Sequence, residues 1–218
     1  MSYLKEQAAI KALDFIEDGM IVGVGTGSTI NCFIQQLTSI RHRIDACVAS
    51  SKATESLLRA AKIPVIELNV VSYLPVYIDG ADEVDARFQM IKGGGGALTR
   101  EKIIASVAQK FICIVDESKA VQHLGDFPIA VEILPLARSY VARELVKLGG
   151  DPQYREGFVT DNGNIIIDVF NFSLDNPRVL EEAIKLIPGV VESGLFSKRL
   201  ADHVLVASAA GVKIISRP

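Results

Sequence analysis

The sequence predicts an α/β protein in two parts: a Rossmann-like, mostly parallel sheet covered by helices, and a smaller ferredoxin-like α+β domain. Two observations predict the first part. Short apolar runs of strand length alternate with helical periodicities up to about residue 121. The polar and glycine-rich loops fall directly after those apolar runs, where an open parallel sheet binds its ligands. The second part follows from a change of order after residue 121, to strand, helix, strand, strand, helix, strand.

Leu4, Ala8, Ala12 and Phe15 recur at helical spacing, and Asp18-Gly19 supplies the stop. Charges inside that apolar pattern mark an amphipathic helix rather than a signal peptide. "MIVGV" (20–24) reads as a buried strand, followed by "GTGST" and a helix whose stripe is Ile30, Phe33, Ile34 and Leu37. The alternation continues with "ACVAS" as strand, "SKATESLLRAAK" as helix and "PVIEL" as strand. "VYI" and "QMI" are short strand candidates around an acidic loop, and a helix from about Ala97 to Gln109 precedes the strand "FICIV".

Further on, "AVEILP" is a strand and "ARSYVARELVKLG" a helix. "PQYRE" and "GFVTDNGNIIIDVF" supply strands about Asn162-Gly163, "PRVLEEAIKLI" a helix and "VVESGLF" a strand. Finally "HVLVAS" and "VKIIS" form a hairpin about "AAG"; a terminal hairpin needs a surface to pack on, so it is expected to return to the first sheet. The expected division is therefore 1–126 with 203–218 as the α/β domain and 127–202 as the ferredoxin-like domain.

Composition excludes several classes of function. With 49% hydrophobic residues and no Trp, 218 residues can build cores of Ile, Val, Leu and Ala. A net charge of −3 leaves no basic footprint for nucleic acid. No apolar stretch reaches the ~18 residues that a membrane span requires. Cys32, Cys47 and Cys113 are odd in number and sit in apolar runs, which suits reduced thiols in a cytoplasmic protein. His42, His123 and His203 share no ligand spacing, so no structural metal is expected. The expected partner is a small molecule.

Five polar loops follow predicted strands, at 25–29, 50–54, 79–85, 92–97 and 116–119. If those strands are parallel, the loops share one edge. "GVGTGSTI" does not fit the dinucleotide fingerprint G-x-G-x-x-G, and no Gly-Lys-Ser/Thr occurs anywhere. What remains is a strand, a glycine turn and Ser28-Thr29 at a helix start; free amides, hydroxyls and the helix dipole suit a single phosphate. The plainer alternative is a helix cap with tight-turn glycines.

Lys92 precedes Gly93-Gly94-Gly95-Gly96, a run over which the backbone can approach a ligand closely while the lysine meets a developing oxyanion. A flexible loop with a solvated lysine is the alternative. On a helix from Ala97, the residues Ala97, Glu101, Ile104 and Ala108 share an inward arc, and Thr99, Lys102 and Ser106 lie opposite. An inward carboxylate tends to hold its proton more tightly, which suits a general base near neutral pH; pairing with arginine or amides is the structural alternative.

Asp79 and Asp82 flank Gly80-Ala81 at a strand end. They suit a Mg²⁺ site, sugar hydroxyls or a shared proton, and the shortage of further ligands favours hydroxyl binding with acid–base assistance. Glu83 and Asp85 are expected at the surface, and Lys119 is a candidate to complete a phosphate site.

"GVGTGST", "DGADEVD", "KGGGGALTREK" and "VTDNGN", in this order, resemble the type A ribose-5-phosphate isomerases, and "FICIVDESK" and "LVKLGG" extend the likeness over essentially the whole chain. The resemblance implies interconversion of D-ribose 5-phosphate and D-ribulose 5-phosphate in the non-oxidative pentose phosphate pathway, with no metal or organic cofactor. It also implies an α/β domain with a ferredoxin-like lid, assembled as a homodimer or homotetramer. By motif, Thr26, Gly27, Ser28 and Thr29 would bind substrate near its phosphate. Asp79, Gly80, Ala81 and Asp82 would contact the sugar, with Asp79 assisting ring opening. Lys92, Gly93, Gly94 and Gly95 would form the oxyanion-side loop and Glu101 would accept the proton. Lys119 matches a substrate-binding lysine, and Lys5 is placed near the phosphate.

Because similar scaffolds serve other reactions, two alternatives stand beside this one. A CoA-transferase-like enzyme would use a glutamate such as Glu101 as nucleophile. A non-catalytic sugar-phosphate sensor would keep the binding loops without an inward carboxylate, and would usually add a DNA-binding module that this sequence lacks.

Overall fold

The computed structural model describes residues 2–218. In chain order the elements are α1 (Ser2–Ala12), β1 (Met20–Val24), α2 (Ser28–Leu37), β2 (Ile44–Ala49), α3 (Lys52–Ala60), β3 (Val76–Asp79), β4 (Glu83–Val84), β5 (Met90–Ile91) and α4 (Leu98–Val107). There follow β6 (Lys110–Asp116), β7 (Ile129–Ile133), α5 (Arg138–Lys147), β8 (Asp151–Tyr154), β9 (Ile165–Phe170), α6 (Pro177–Lys185), β10 (Val190–Ser193), β11 (Leu195–Phe196), β12 (His203–Ser208) and β13 (Gly211–Ser216). They fall into two compact units, 1–81 with 100–120 and 201–218, and 82–99 with 121–200.

The first unit is built on a six-stranded sheet in the order β13-β12-β6-β3-β1-β2. β2, β1, β3, β6 and β12 run parallel, and β13 turns back antiparallel as the expected hairpin. Strand alternation sends Val22 and Val24, Val76 and Ile78, Ile112 and Ile114, and Leu205 and Ala207 into one cluster with Ala8 and Ala12 of α1 and Ile30, Phe33 and Leu37 of α2. The alternate residues face the other way: a Cβ at Gly23 would meet Tyr77 of β3 and Ile104 of α4. Tyr77 and Asp79, two apart on β3, therefore share the side of the sheet that α4 covers. "PVIEL" does not become a strand. Pro64 brings no amide to a ladder, and the segment makes one bridge to β2, at Val65, before a 3₁₀ turn at Leu68–Val70.

The second unit carries a four-stranded antiparallel sheet in the order β10-β7-β9-β8, which is the ferredoxin-like arrangement. Ile129, Val131 and Ile133 of β7 and Ile165, Ile167 and Val169 of β9 pack with Val141 and Leu145 of α5 and Leu180 and Ile184 of α6. On the opposite face the registered pairs are Ala130 with Asp168 and Glu132 with Ile166. A sheet face with such polar residues is normally left to water. Here Leu98 and Phe158 cluster with Ala130 and Ile166, so chain from either side of the sheet covers it.

Three expectations are corrected in this unit. Residues 82–99, placed by the expected boundaries in the α/β domain, group here, because β4 and β5 form a small sheet with β11. The second half of the expected hairpin about Asn162-Gly163 is strand, but 157–164 is loop; Thr160, Asn162 and Asn164 turn inward to donate to the buried Glu132 carboxylate. "VVESGLF" breaks into β10 and β11 at Gly194, whose amide donates to Ala130 and whose carbonyl accepts from the Lys92 amide at 2.8 Å.

Candidate active site

Parallel pairing of β1, β2, β3 and β6 brings the loops at 25–29, 50–54 and 116–119 and the residues following Asp79 to one edge of the first unit. Asp79 is fully buried there. Its carboxylate accepts from the Thr26 amide at 3.1 Å, the Gly80 amide at 2.8 Å and the Tyr77 hydroxyl at 2.5 Å. Gly25 is glycine for a steric reason: a Cβ there would lie 1.8 Å from Asp79 Oδ1. Thr26 adds a hydroxyl cluster with Ser50 at 2.7 Å and Ser51 at 2.9 Å, and Thr54 closes it by donating to the Gly25 carbonyl. The first loop is thus pinned at Thr26, which leaves the residues after it to present their polar groups.

Gly27 caps α2 with φ +114°, so Ser28 and Thr29 open the helix with their amides at its positive end. Lys5 of α1 donates to the Ser28 hydroxyl at 2.8 Å, which places a cation beside that helix start. Lys119, half-buried, ends a 3₁₀ turn whose cap is the buried Asp116. Glu101 is 4% exposed on α4, with Ala97, Ile104 and Ala108 buried along the same arc, as its spacing predicted. Burial, then the negative charges of Asp79 and Glu101, push the Tyr77 phenol well above its ordinary range, while a hydrogen bond with Ser50 acts the other way. Asp79 and Glu101 therefore both bear on one buried hydroxyl.

In the second unit, Lys92 follows β5 and is 3% exposed, its ammonium 5.7 Å from the centre of the Phe196 ring. It is therefore not the solvated lysine of a flexible loop. Asp82 accepts from the Gly94 amide at 2.8 Å, which ties one end of the acidic stretch to the glycine run. Thr99, expected on the outer face of its helix, is buried and donates to Glu132. Glu83, expected at the surface, is also buried; it accepts from the amides of Gly125 at 2.7 Å and Phe127 at 2.5 Å. Asp85 is half-buried and shapes a turn by accepting from the amides of Arg87 and Gln89, both at 2.9 Å. The lysine–glycine loop thus follows a strand of the small sheet, not of the parallel one.

Residues 46–211 match the family model described as ribose 5-phosphate isomerase A (phosphoriboisomerase A). The chain belongs to the ribose 5-phosphate isomerase A family. A ribose-5-phosphate isomerase A from Legionella pneumophila is 69% identical over 212 residues, 97% of this chain and 98% of the relative. The crystal structure of ribose 5-phosphate isomerase A from Neisseria gonorrhoeae superposes with a TM-score of 0.97 at 47% identity, over 99% of this chain and 96% of that one. A D-ribose-5-phosphate isomerase solved in complex with phospho-erythronic acid aligns with a TM-score of 0.93 at 40% identity, over 99% of this chain and 98% of the other. The hydrogen bonds also tie in residues that sequence reasoning passed over. Tyr77 carried a usable signal, since it lies two residues before Asp79 on the same strand face. Ser50 lay in the expected loop at 50–54, whereas Arg155, which donates to the carbonyls of Gly93 and Gly94, carried no signal because those partners are remote in the chain.

Proposed function

We propose that this chain is an aldose–ketose isomerase that interconverts D-ribose 5-phosphate and D-ribulose 5-phosphate through an enediolate, in the non-oxidative branch of the pentose phosphate pathway. The observation that carries the chemistry is Glu101: a carboxylate withdrawn from water on α4, beside the Asp79–Tyr77 pair at the ligand edge of a parallel sheet. Glu101 takes the C2 proton of the open-chain aldose. The C–H electron pair forms the C1–C2 double bond and negative charge moves to O1. The hydroxyl proton on O2 passes to O1 as the abstracted proton returns to C1, which leaves the carbonyl at C2, so atoms and charge balance without a co-reactant.

The remaining residues divide the work. Gly27, Ser28 and Thr29, with Lys5 and Lys119, hold the phosphate; helix-start amides and lysines are the chemistry that binds it. Thr26 binds substrate with that loop, near the phosphate, and Asp79 assists ring opening, with Gly80, Ala81 and Asp82 on the sugar hydroxyls. Lys92 and the loop Gly93, Gly94 and Gly95 form the oxyanion side, with the Gly94 amide spent on Asp82 and the Gly93 and Gly95 amides left to meet the developing charge. Phospho-erythronic acid, held by a relative, ends in a carboxylate whose two planar oxygens imitate an enediolate. The proposal includes no metal or organic cofactor. It extends to a catalytic α/β unit with a ferredoxin-like lid, a homodimer or homotetramer, and a cytoplasmic place of work.

The test is ribulose 5-phosphate formation from ribose 5-phosphate, with and without EDTA, for the wild type and Glu101→Gln. The expected result is EDTA-insensitive activity and a kcat lowered about 10²–10⁴-fold in the variant. Near-normal kcat in Glu101→Gln excludes Glu101 as the base, and an inactive folded wild type overturns the reaction itself.

A further inference from the structure

Arg155 follows β8 in the second unit, and its guanidinium bonds the glycine loop. Its Nε donates to Asp168 Oδ2 at 2.8 Å, and one terminal nitrogen pairs with the other carboxylate oxygen. The remaining terminal nitrogen donates to the carbonyls of Gly93 at 3.1 Å and Gly94 at 3.3 Å. The Phe158 ring stacks against the guanidinium at 5.4 Å. Both members of the ion pair are only 17% exposed, so neither is a wandering surface charge.

Peptide planarity turns those contacts into a constraint on direction. Within a trans peptide the N–H points opposite to the C=O. The Gly93 carbonyl accepts from the Gly96 amide at 3.0 Å as well as from Arg155, and fixing it aims the Gly94 N–H the other way, where it meets Asp82 at 2.8 Å. That peptide is held at both ends. Fixing the Gly94 carbonyl aims the Gly95 N–H away from Arg155 in the same manner. Glycines left to themselves sample both hands of backbone space, and a donor that rotates freely cannot be preorganised for a transient charge.

We propose that Arg155, anchored on Asp168, is a positioning residue that sets the amide directions of the glycine loop for the oxyanion of the isomerisation. This rests on the isomerase reading above. It touches no reacting atom. The fork is needed because one side chain must pair with a carboxylate and hold two carbonyls together, which an ammonium cannot do with fixed geometry.

The experiment compares wild type, Arg155→Met, Arg155→Lys and Asp168→Asn by steady-state kinetics, thermal unfolding and amide hydrogen exchange over residues 92–97. Arg155→Met is expected to lose about tenfold or more in kcat with KM within a few-fold, since the aligned amides act chiefly on the developing charge. Exchange over 92–97 should quicken, and Arg155→Lys should recover only part of the loss. Millimolar guanidinium added to Arg155→Met should restore part of kcat, which a generally weakened fold would not allow. Unchanged kcat and exchange in Arg155→Met, full activity in Arg155→Lys, or a loss confined to KM would overturn the proposal. If Arg155→Met does not fold, Asp168→Asn decides: slower turnover with faster loop exchange supports the anchor, and wild-type values for both refute it. If the wild type itself does not isomerise ribose 5-phosphate, the functional reading falls, and the exchange comparison still decides whether Arg155 fixes the loop.

Discussion

At the residue scale, Tyr77 shows how one hydroxyl is made part of a buried acidic site. Its O–H satisfies Asp79 while its ring lies against Phe111 with centroids 5.1 Å apart. Removing the hydroxyl in Tyr77→Phe should cost about 1–3 kcal/mol, the usual penalty for leaving a buried acceptor short of a donor. The pH dependence has a definite sign. The folded phenol ionises well above its ordinary value near 10, whereas the unfolded one does not. Stability from keeping it neutral is complete below about pH 10 and is lost as pH rises beyond it. The stability gap between wild type and Tyr77→Phe should thus narrow as pH rises above about 10; a constant gap in denaturant titrations would contradict the assignment.

Single residues were legible where a period placed them. Glu101 fell on the apolar arc of its helix, and Asp79 followed a three-residue apolar run. Glu83 and Thr99 were misread because each is buried by a partner far away in sequence, Glu83 by the amides of Gly125 and Phe127 and Thr99 by Glu132. Local pattern carries no trace of such pairings.

At the scale of elements, the join between β10 and β11 is the most constrained point in the second unit. Gly194 lets a strand pass against the main chain of Lys92; a Cβ at 194 would sit 2.0 Å from the Lys92 carbonyl oxygen. Gly194→Ala must displace one backbone or the other. A strain of about 1–3 kcal/mol, at roughly 2–4 °C per kcal/mol for a chain of this size, predicts a melting temperature lower by about 2–12 °C. The same displacement moves Lys92, so kcat should fall as well. Calorimetry and turnover of this variant check both, and an unshifted melting temperature would show that the join has slack.

The long parallel strands and amphipathic helices were readable because their periods run over many residues. The two-residue strands β4, β5 and β11 were not. Strands that short have no period, and their pairing is set by β11 arriving a hundred residues later. For the same reason, "QMI" was found as a strand yet assigned to the wrong sheet.

At the scale of the whole molecule, the first unit is completed from the far end of the chain. β12 lies between β6 and β13, with Leu205 and Ala207 fully buried. Ending the chain at Leu200 would strip β6 of one of its two parallel neighbours and open the cluster that α1 and α2 share with β12. Such a truncation should be insoluble or lack a cooperative transition in the first unit; a soluble protein with wild-type melting would disprove that dependence. The hairpin's return was foreseen from its need for a partner surface, and the fate of residues 82–99 was not.

The chain passes from one unit to the other at 81/82, 99/100, 120/121 and 200/201. On a ribosome, where domains fold as their residues emerge, this inverts the usual order. Every residue of the second unit has been translated before β12 exists, while the first unit, begun earlier in the chain, waits with an open sheet edge. The nascent chain therefore carries the edge of β6 unpaired from residue 117 until β12 is made at His203–Ser208, and only then is the sheet closed.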